Sequence, residues 1–210
     1  AWMWRVAQGS LELLGLDPSN ELLLTMAFFT LYYLKSTVEG FPFELYQIFV
    51  IEQRHGFNQQ TLGLWASDQV KSILLVLVLG GPALVGGVVI IQWGGDLFFI
   101  YVWLFTFVLL VLFMTLYPNL IEPLFSTFTP LQDGELKRGV EALAAEHSFP
   151  LKKLFVVDGS KRSSHSNAYM FGFGNNKRIV LYDTLSPALL MTTDHNQERK
   201  EGEEERKDGE

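Results

Sequence analysis

The chain has 210 residues, 49% of them hydrophobic and only 19% charged, with a formal net charge of -7. A soluble domain of this length carries about 25% charge, so the apolar surplus points to lipid and argues against a wholly soluble, disordered or fibrous protein. Cysteine is absent, which removes disulfides, thiolate zinc sites and a cysteine nucleophile together.

The chain opens Ala1-Trp2-Met3 without an initiator and stops at Lys207-Asp208-Gly209-Glu210 without a domain-end signal, as expected of an internal piece of a longer protein. No stretch combines a basic start, an apolar centre and a small-residue cleavage site, so targeting is expected from the spans or from sequence outside the chain. Ala1 to Glu21 carries little signal.

The first apolar stretch, Leu22 to Leu34, is 13 residues, about 20 Å of helix and too short to cross a bilayer alone. Continued through Lys35, Ser36 and Glu39 past Gly40-Phe41-Pro42, it becomes a span over about residues 22–46 that carries ionisable groups at or within the membrane. Lys35 and Glu39 are four apart and share a helix face. They pair either at the headgroup boundary or on a polar face turned toward a protein interior.

Ser72 to Gly95 is 24 residues without a formal charge, and Leu97 to Ile121 is 25 more, with only Asp96 between them. Each exceeds the roughly 20 residues that cross about 30 Å of hydrocarbon. Gly80-Gly81-Pro82 and Gly86-Gly87 are tolerated in lipid where neighbours satisfy the freed backbone, and Ala83 and Gly87 form a small-residue pair suited to close helix packing. Gln92-Trp93-Gly94-Gly95-Asp96 is a tight turn, so the two spans are expected as an antiparallel hairpin, with Trp93, Tyr101, Trp103 and Tyr117 as interfacial aromatics. The turn has no lysine or arginine, whereas Glu52 to Lys71 carries Arg54 and Lys71 and Glu122 to Glu210 carries twelve basic residues. Positive-inside charge then puts that loop and the C-terminal region in the cytosol.

After Ile121 the pattern is that of a soluble α+β segment. Thr129-Pro130-Leu131-Gln132-Asp133 predicts a turn and cap, and Leu136, Val140, Leu143 and Ala144 predict a helix to about His147. Leu154-Phe155-Val156-Val157 predicts a strand, and Ala168–Phe173 with Arg178–Tyr182 predicts a β-hairpin around Gly174-Asn175-Asn176-Lys177. Three strands and one helix are marginal for an independent core. Asp194–Glu210 holds eight acids and four bases and no apolar residue; it is expected to be disordered. No basic face suggests a nucleic-acid partner.

None of His55, His147, His165 and His195 begins an H-E-x-x-H sequence, and no two stand four apart to meet a zinc from one helix face. The stretch Val157-Asp158-Gly159-Ser160-Lys161-Arg162-Ser163-Ser164-His165-Ser166-Asn167-Ala168-Tyr169 packs cations, hydroxyls, an imidazole and an amide just before a predicted strand. From chemistry alone, a solvated loop and a loop that binds a peptide or anion both stand.

That segment, with Lys177-Arg178-Ile179-Val180-Leu181-Tyr182-Asp183-Thr184-Leu185 after it, resembles the signature region of the CAAX prenyl protease 1 family of integral-membrane zinc metalloendopeptidases. So do Phe49-Val50-Ile51-Glu52, His55-Gly56-Phe57-Asn58-Gln59-Gln60-Thr61, Gly94-Gly95-Asp96, and Pro123-Leu124-Phe125 through Phe128-Thr129-Pro130-Leu131. The resemblance implies a multi-span helical bundle in the endoplasmic reticulum membrane, around a water-filled chamber with an inward zinc site. It also implies prenylated C-a-a-X proteins as partners, losing their last three residues as a zinc-polarised carbonyl is attacked by a glutamate-activated water. The family's substrate strand carries over to Asn167, Ala168 and Tyr169, with His165 beside it. Lys161 and Arg162 are either attractors of the substrate carboxylate or a solvated pair.

The family's H-E-x-x-H and its later glutamate are absent, so the resemblance places no catalytic residue and no zinc ligand in this chain and expects them downstream of Glu210. The whole reading is an α-helical multi-span membrane protein with a small cytosolic α+β segment, incomplete as a fold. It divides into a transmembrane region 1–121 (spans about 22–46, 72–95 and 97–121), a cytosolic metallopeptidase part 122–185, and an acidic linker 186–210. The alternative is a truncated, non-catalytic membrane protein that binds prenylated peptides or regulates the full-length enzyme.

Overall fold

A computed structural model describes residues 2–165, 167–172 and 174–185. They form two compact units, residues 2–50 with Leu62–Tyr117, and Ile51–Thr61 with the described residues from Pro118 onward. The acidic segment 186–210, with its expected disorder, lies outside the described residues.

In the first unit, α1 (Trp2–Leu13) lies where the sequence predicts little. Its buried positions are only Ala7 and Leu11, which close against Leu24; two small contacts four residues apart give too short a period to stand out. Trp4 adds a tilted ring contact with Phe28 at 5.6 Å. Helix α2 (Glu21–Tyr46) starts at Asn20, whose Oδ1 accepts from the N–H groups of Leu22 and Leu23 at 3.1 and 3.2 Å. That cap satisfies donors a helix start otherwise leaves open. The helix runs on through Pro42 and finishes in π turns over Gln47–Glu52. Lys35 and Glu39 pair on its exposed surface.

The helix that carries the next apolar run begins ten residues before it. Helix α3 (Leu62–Leu75) passes through a π segment, Val76–Gly80, into α4 (Gly81–Trp93), so the helix that carries the run from Ser72 begins at Leu62. Asp68 and Lys71 interrupt the apolar run but not the backbone ladder, and nearby Gln69 Nε2 donates to Glu44 Oε1 of α2 at 2.7 Å. Helix α5 (Phe98–Leu116) is the central part of a helical stretch that spans Gly95–Leu124. Leu62–Trp93 and Gly95–Leu124 are both long and apolar enough to cross a membrane. The exposed apolar surface of α5, including Trp103 and Leu110, suits a hydrocarbon solvent.

The turn between α4 and α5 is tight because of Gly94, where a Cβ would lie 2.6 Å from Phe98 Cα. The closest packing of the hairpin falls at Gly86, where a Cβ would meet Phe105 Cζ at 2.8 Å. The small-residue packing expected of Ala83 and Gly87 is thus centred one residue away from Gly87.

The second unit is built on a mixed sheet. Its described strands are β1 (Phe128–Pro130), β2 (Leu151–Val157), β3 (Ala168–Phe171) and β4 (Lys177–Tyr182), in the order β1-β2-β4-β3. β1 and β2 are antiparallel, β2 and β4 parallel, and β3 and β4 antiparallel. The segment predicted as a turn from Thr129 is therefore partly a strand, in register Phe128↔Val157 through Pro130↔Phe155. Pro130 fits there because β1 is an outer strand. Helix α6 (Glu135–Glu146) has Gly134 rather than Asp133 at its N-cap position, with no side-chain cap. Asp133 instead pairs with Lys137 at 2.6 Å, a hydrogen bond that lowers the aspartate pKa. The core gathers Leu131, Leu154, Val156 and Leu181, with Val140 of α6 and Ile179 packed on it. The β3–β4 turn requires Gly172 at φ +118°, where a Cβ would fall 2.1 Å from the Asn176 carbonyl oxygen.

Candidate functional site

Residues 158–165 form a turn held from several directions. Asp158, 2% exposed, accepts from the Thr127 N–H at 2.6 Å and pairs with Lys161 at 3.0 Å. Asp183, 1% exposed, accepts from Ser160 twice, from its N–H at 2.8 Å and its Oγ at 2.6 Å. Buried carboxylates survive only with such partners. Arg162 Nη2 donates to the Phe125 carbonyl at 2.6 Å and Nη1 to Ser126 Oγ at 3.4 Å. Arg162 thus ties the turn to the segment at Phe125 and Ser126, whereas Lys161, half exposed, pairs with Asp158 inside the turn.

The loop 56–60 pairs with this turn like a short added strand. Asn58 and Ser163 form an antiparallel bridge, the Gln59 N–H donates to the Arg162 carbonyl at 3.1 Å, and the Ser164 N–H donates to the Phe57 carbonyl at 3.0 Å. Ser164 Oγ also donates to the Gly56 carbonyl at 2.9 Å. Asn58 is buried; its side chain donates to Gln53 Oε1 and accepts from the Gln60 N–H at 2.7 Å. His165 is gathered into this latch with its ring edge-on to Phe57, centroids 4.3 Å apart. Nothing in the sequence pairs His165 with a residue more than a hundred positions earlier.

From here the chain enters β3. The Tyr182 N–H donates to the Asn167 carbonyl at 2.9 Å, and the ladder continues as Ala168↔Leu181, Tyr169↔Val180 and Met170↔Ile179. Antiparallel pairing alternates, so Asn167, Tyr169 and Phe171 turn their backbone groups toward β4. Ala168 and Met170 turn theirs toward the outer side of the terminal strand. The Asn167 side chain is exposed at the strand's entrance.

The ring face of β3 is fixed by aromatic stacking and one acid. Tyr169 lies against Phe171 and Tyr182, centroids 6.2 and 5.8 Å apart, and its hydroxyl donates to Glu122 Oε1. The other carboxylate oxygen, Oε2, is buried and has no hydrogen-bond partner. Glu122 is a site residue that sequence reasoning missed, because 47 residues separate it from Tyr169 and no local pattern joins them.

Among the described residues no three His, Asp or Glu side chains converge where a metal ion could be held. The described residues therefore offer no metal centre, and His195 lies outside them. What the arrangement offers is an outer strand, β3, whose Ala168 and Met170 backbone groups face away from β4.

Comparison with known proteins gives matches along most of the chain. Residues 1–127 match the family described as CAAX prenyl protease N-terminal, five membrane helices, and residues 130–198 match peptidase family M48. A CAAX prenyl protease 1 homolog of Arabidopsis thaliana is 53% identical over 184 residues, covering 88% of this chain and 43% of that protein. The homolog of Mus musculus is 44% identical over 209 residues, covering 100% of this chain and 44% of that protein. The crystal structure of S. mikatae Ste24p superposes with a TM-score of 0.78 at 43% identity, over 87% of this chain and 42% of that one. The chain thus spans less than half the length of these relatives.

Proposed function

The chain belongs to the CAAX prenyl protease branch of peptidase family M48, and from that premise we propose that it supplies the membrane helices and the substrate strand of an endopeptidase that removes the last three residues of prenylated C-a-a-X proteins. The observation that carries this reading is the placement of β3 at the end of the sheet order, with Ala168 and Met170 aimed outward. An extended peptide adds to such an edge by main-chain hydrogen bonds, and pockets beside it choose the side chains. Asn167 stands where its amide can both donate to and accept from a peptide bond. His165, held by Phe57, orients the entrance.

On this reading the 210-residue chain by itself binds peptide without cleaving it, and the zinc of the active enzyme is held by residues outside the chain. The protein resides in the endoplasmic reticulum membrane, with the Gln92–Asp96 turn on the lumenal face and β3 in the cytosol. The lack of lysine and arginine in that turn supports this orientation. A glycosylation acceptor inserted at Gly94 is expected to be modified, and an unmodified acceptor with cytosolic accessibility overturns the orientation.

The test of the strand is binding of a farnesylated C-a-a-X peptide to the chain in lipid nanodiscs. Ala168→Pro removes an outward N–H while leaving the bonds to β4 in place, as an outer strand tolerates. Affinity is expected to fall by about tenfold or more with thermal stability little changed. Asn167→Ala is expected to weaken binding in the same assay. Undiminished binding by Ala168→Pro overturns the reading.

A further inference from the structure

Glu122 is unusual in this unit because one of its two oxygens is buried without a partner while the other receives the Tyr169 hydroxyl. Buried Asp158 and Asp183, by contrast, have their contacts supplied from within the fold. A buried carboxylate oxygen left open is costly, and native structures keep few of them without a reason. Two arginines of the same unit are engaged elsewhere, Arg162 with Phe125 and Ser126 and Arg178 with Asn119 Oδ1 at 3.0 Å.

The geometry of strand addition says what could reach that oxygen. Tyr169 bonds its backbone toward β4, so a peptide paired on the outer side of β3 would hydrogen-bond to Ala168 and Met170. It would set one residue directly opposite Tyr169 in a non-hydrogen-bonded pair, where side chains approach most closely. Side chains opposite one another share a face of the sheet, with Cβ atoms about 4.5–5.5 Å apart. The side chain opposite Tyr169 therefore emerges on the face where Tyr169 meets Glu122.

We propose that Glu122 is a specificity-determining residue that selects a hydrogen-bond donor, above all a lysine or arginine, at the peptide position opposite Tyr169. The inference rests on the strand reading above and adds to it a side-chain preference at one position. A long basic side chain can pass the Tyr169 ring and bring its charge to Oε2, and a charge-assisted bond there is worth more than a neutral one. An acidic side chain at the same position meets a like charge and is rejected.

The experiment uses the full 210-residue chain in lipid nanodiscs and a set of farnesylated C-a-a-X peptides in which lysine, leucine or glutamate is moved through each upstream position. The native chain is expected to favour lysine over leucine at a single position by about tenfold. Glu122→Gln keeps an acceptor for Tyr169 and is expected to lose that preference while still binding the leucine peptide. Glu122→Lys is expected to turn the preference toward glutamate at the same position, which a merely structural role for Glu122 cannot produce. If the peptides bind but neither substitution alters the preference, the inference about Glu122 is wrong and the strand reading stands. If no peptide binds the native chain, the strand reading falls, and this inference falls with it.

Discussion

The Arg162 guanidinium donates to the Phe125 carbonyl at 2.6 Å, joining the turn before the edge strand to the segment that leads into β1. The two residues are 37 positions apart, and the contact determines where the chain stands as it enters β3. Arg162→Ala is expected to destabilise this unit by about 1–3 kcal/mol, because a carbonyl bonded to a charged donor loses its partner. Arg162→Lys recovers little of that, since an ammonium cannot reproduce the two-pronged contact with Phe125 and Ser126. Thermal melting in detergent measures both, and equal melting temperatures for the native chain and Arg162→Ala would remove the contact from the account.

Asp183 closes the same turn from the other side. Asp183→Ala strips acceptors from both the N–H and the hydroxyl of Ser160 and is expected to cost about 3 kcal/mol. Asp183→Asn retains one acceptor oxygen and is expected to lose clearly less. Amide exchange at Ser160 reports the difference directly, and unchanged protection in Asp183→Ala would contradict it.

In the helical unit, the prediction concerns Gly86 and Phe105. A larger side chain at 86 must push the Phe105 ring away, so Gly86→Leu is expected to destabilise the α4–α5 hairpin by about 2 kcal/mol. Phe105→Ala in the same chain opens the space and recovers most of the loss. A double variant no more stable than Gly86→Leu alone would show that the contact does not hold the hairpin.

Metal removal separates binding from chemistry. On the proposed reading, in which the zinc ligands lie outside the chain, chelation is expected to leave peptide affinity of the 210-residue chain unchanged, and added zinc is expected to produce no cleavage. Zinc-dependent hydrolysis by the purified chain, seen as release of the C-terminal tripeptide, would refute the proposal that it binds without cleaving.

The apolar runs from Ser72 and from Leu97 are legible as spans because hydrocarbon imposes a length and a composition that a linear pattern displays. The β3–β4 hairpin is legible for a similar reason, since strand content and turn residues are local. The same locality explains the misses. Helix α1 depends on Ala7 and Leu11 meeting Leu24, and β1 depends on Thr129 finding Val156, so neither has a pattern of its own.

By itself the sequence determined the membrane-spanning character, the signature turn and the strand on which Ala168 and Tyr169 lie just after Asn167, because periodicity, hydropathy and motif order are properties of neighbours along the chain. Only the tertiary structure decided that Arg162 and Lys161 serve the turn, that Phe57 seats His165, and that Glu122 meets Tyr169 with one oxygen left open. Those pairings join residues separated by up to a hundred positions or more. Hydrogen bonding and burial act through space, and the chain order carries no record of which distant groups will share it.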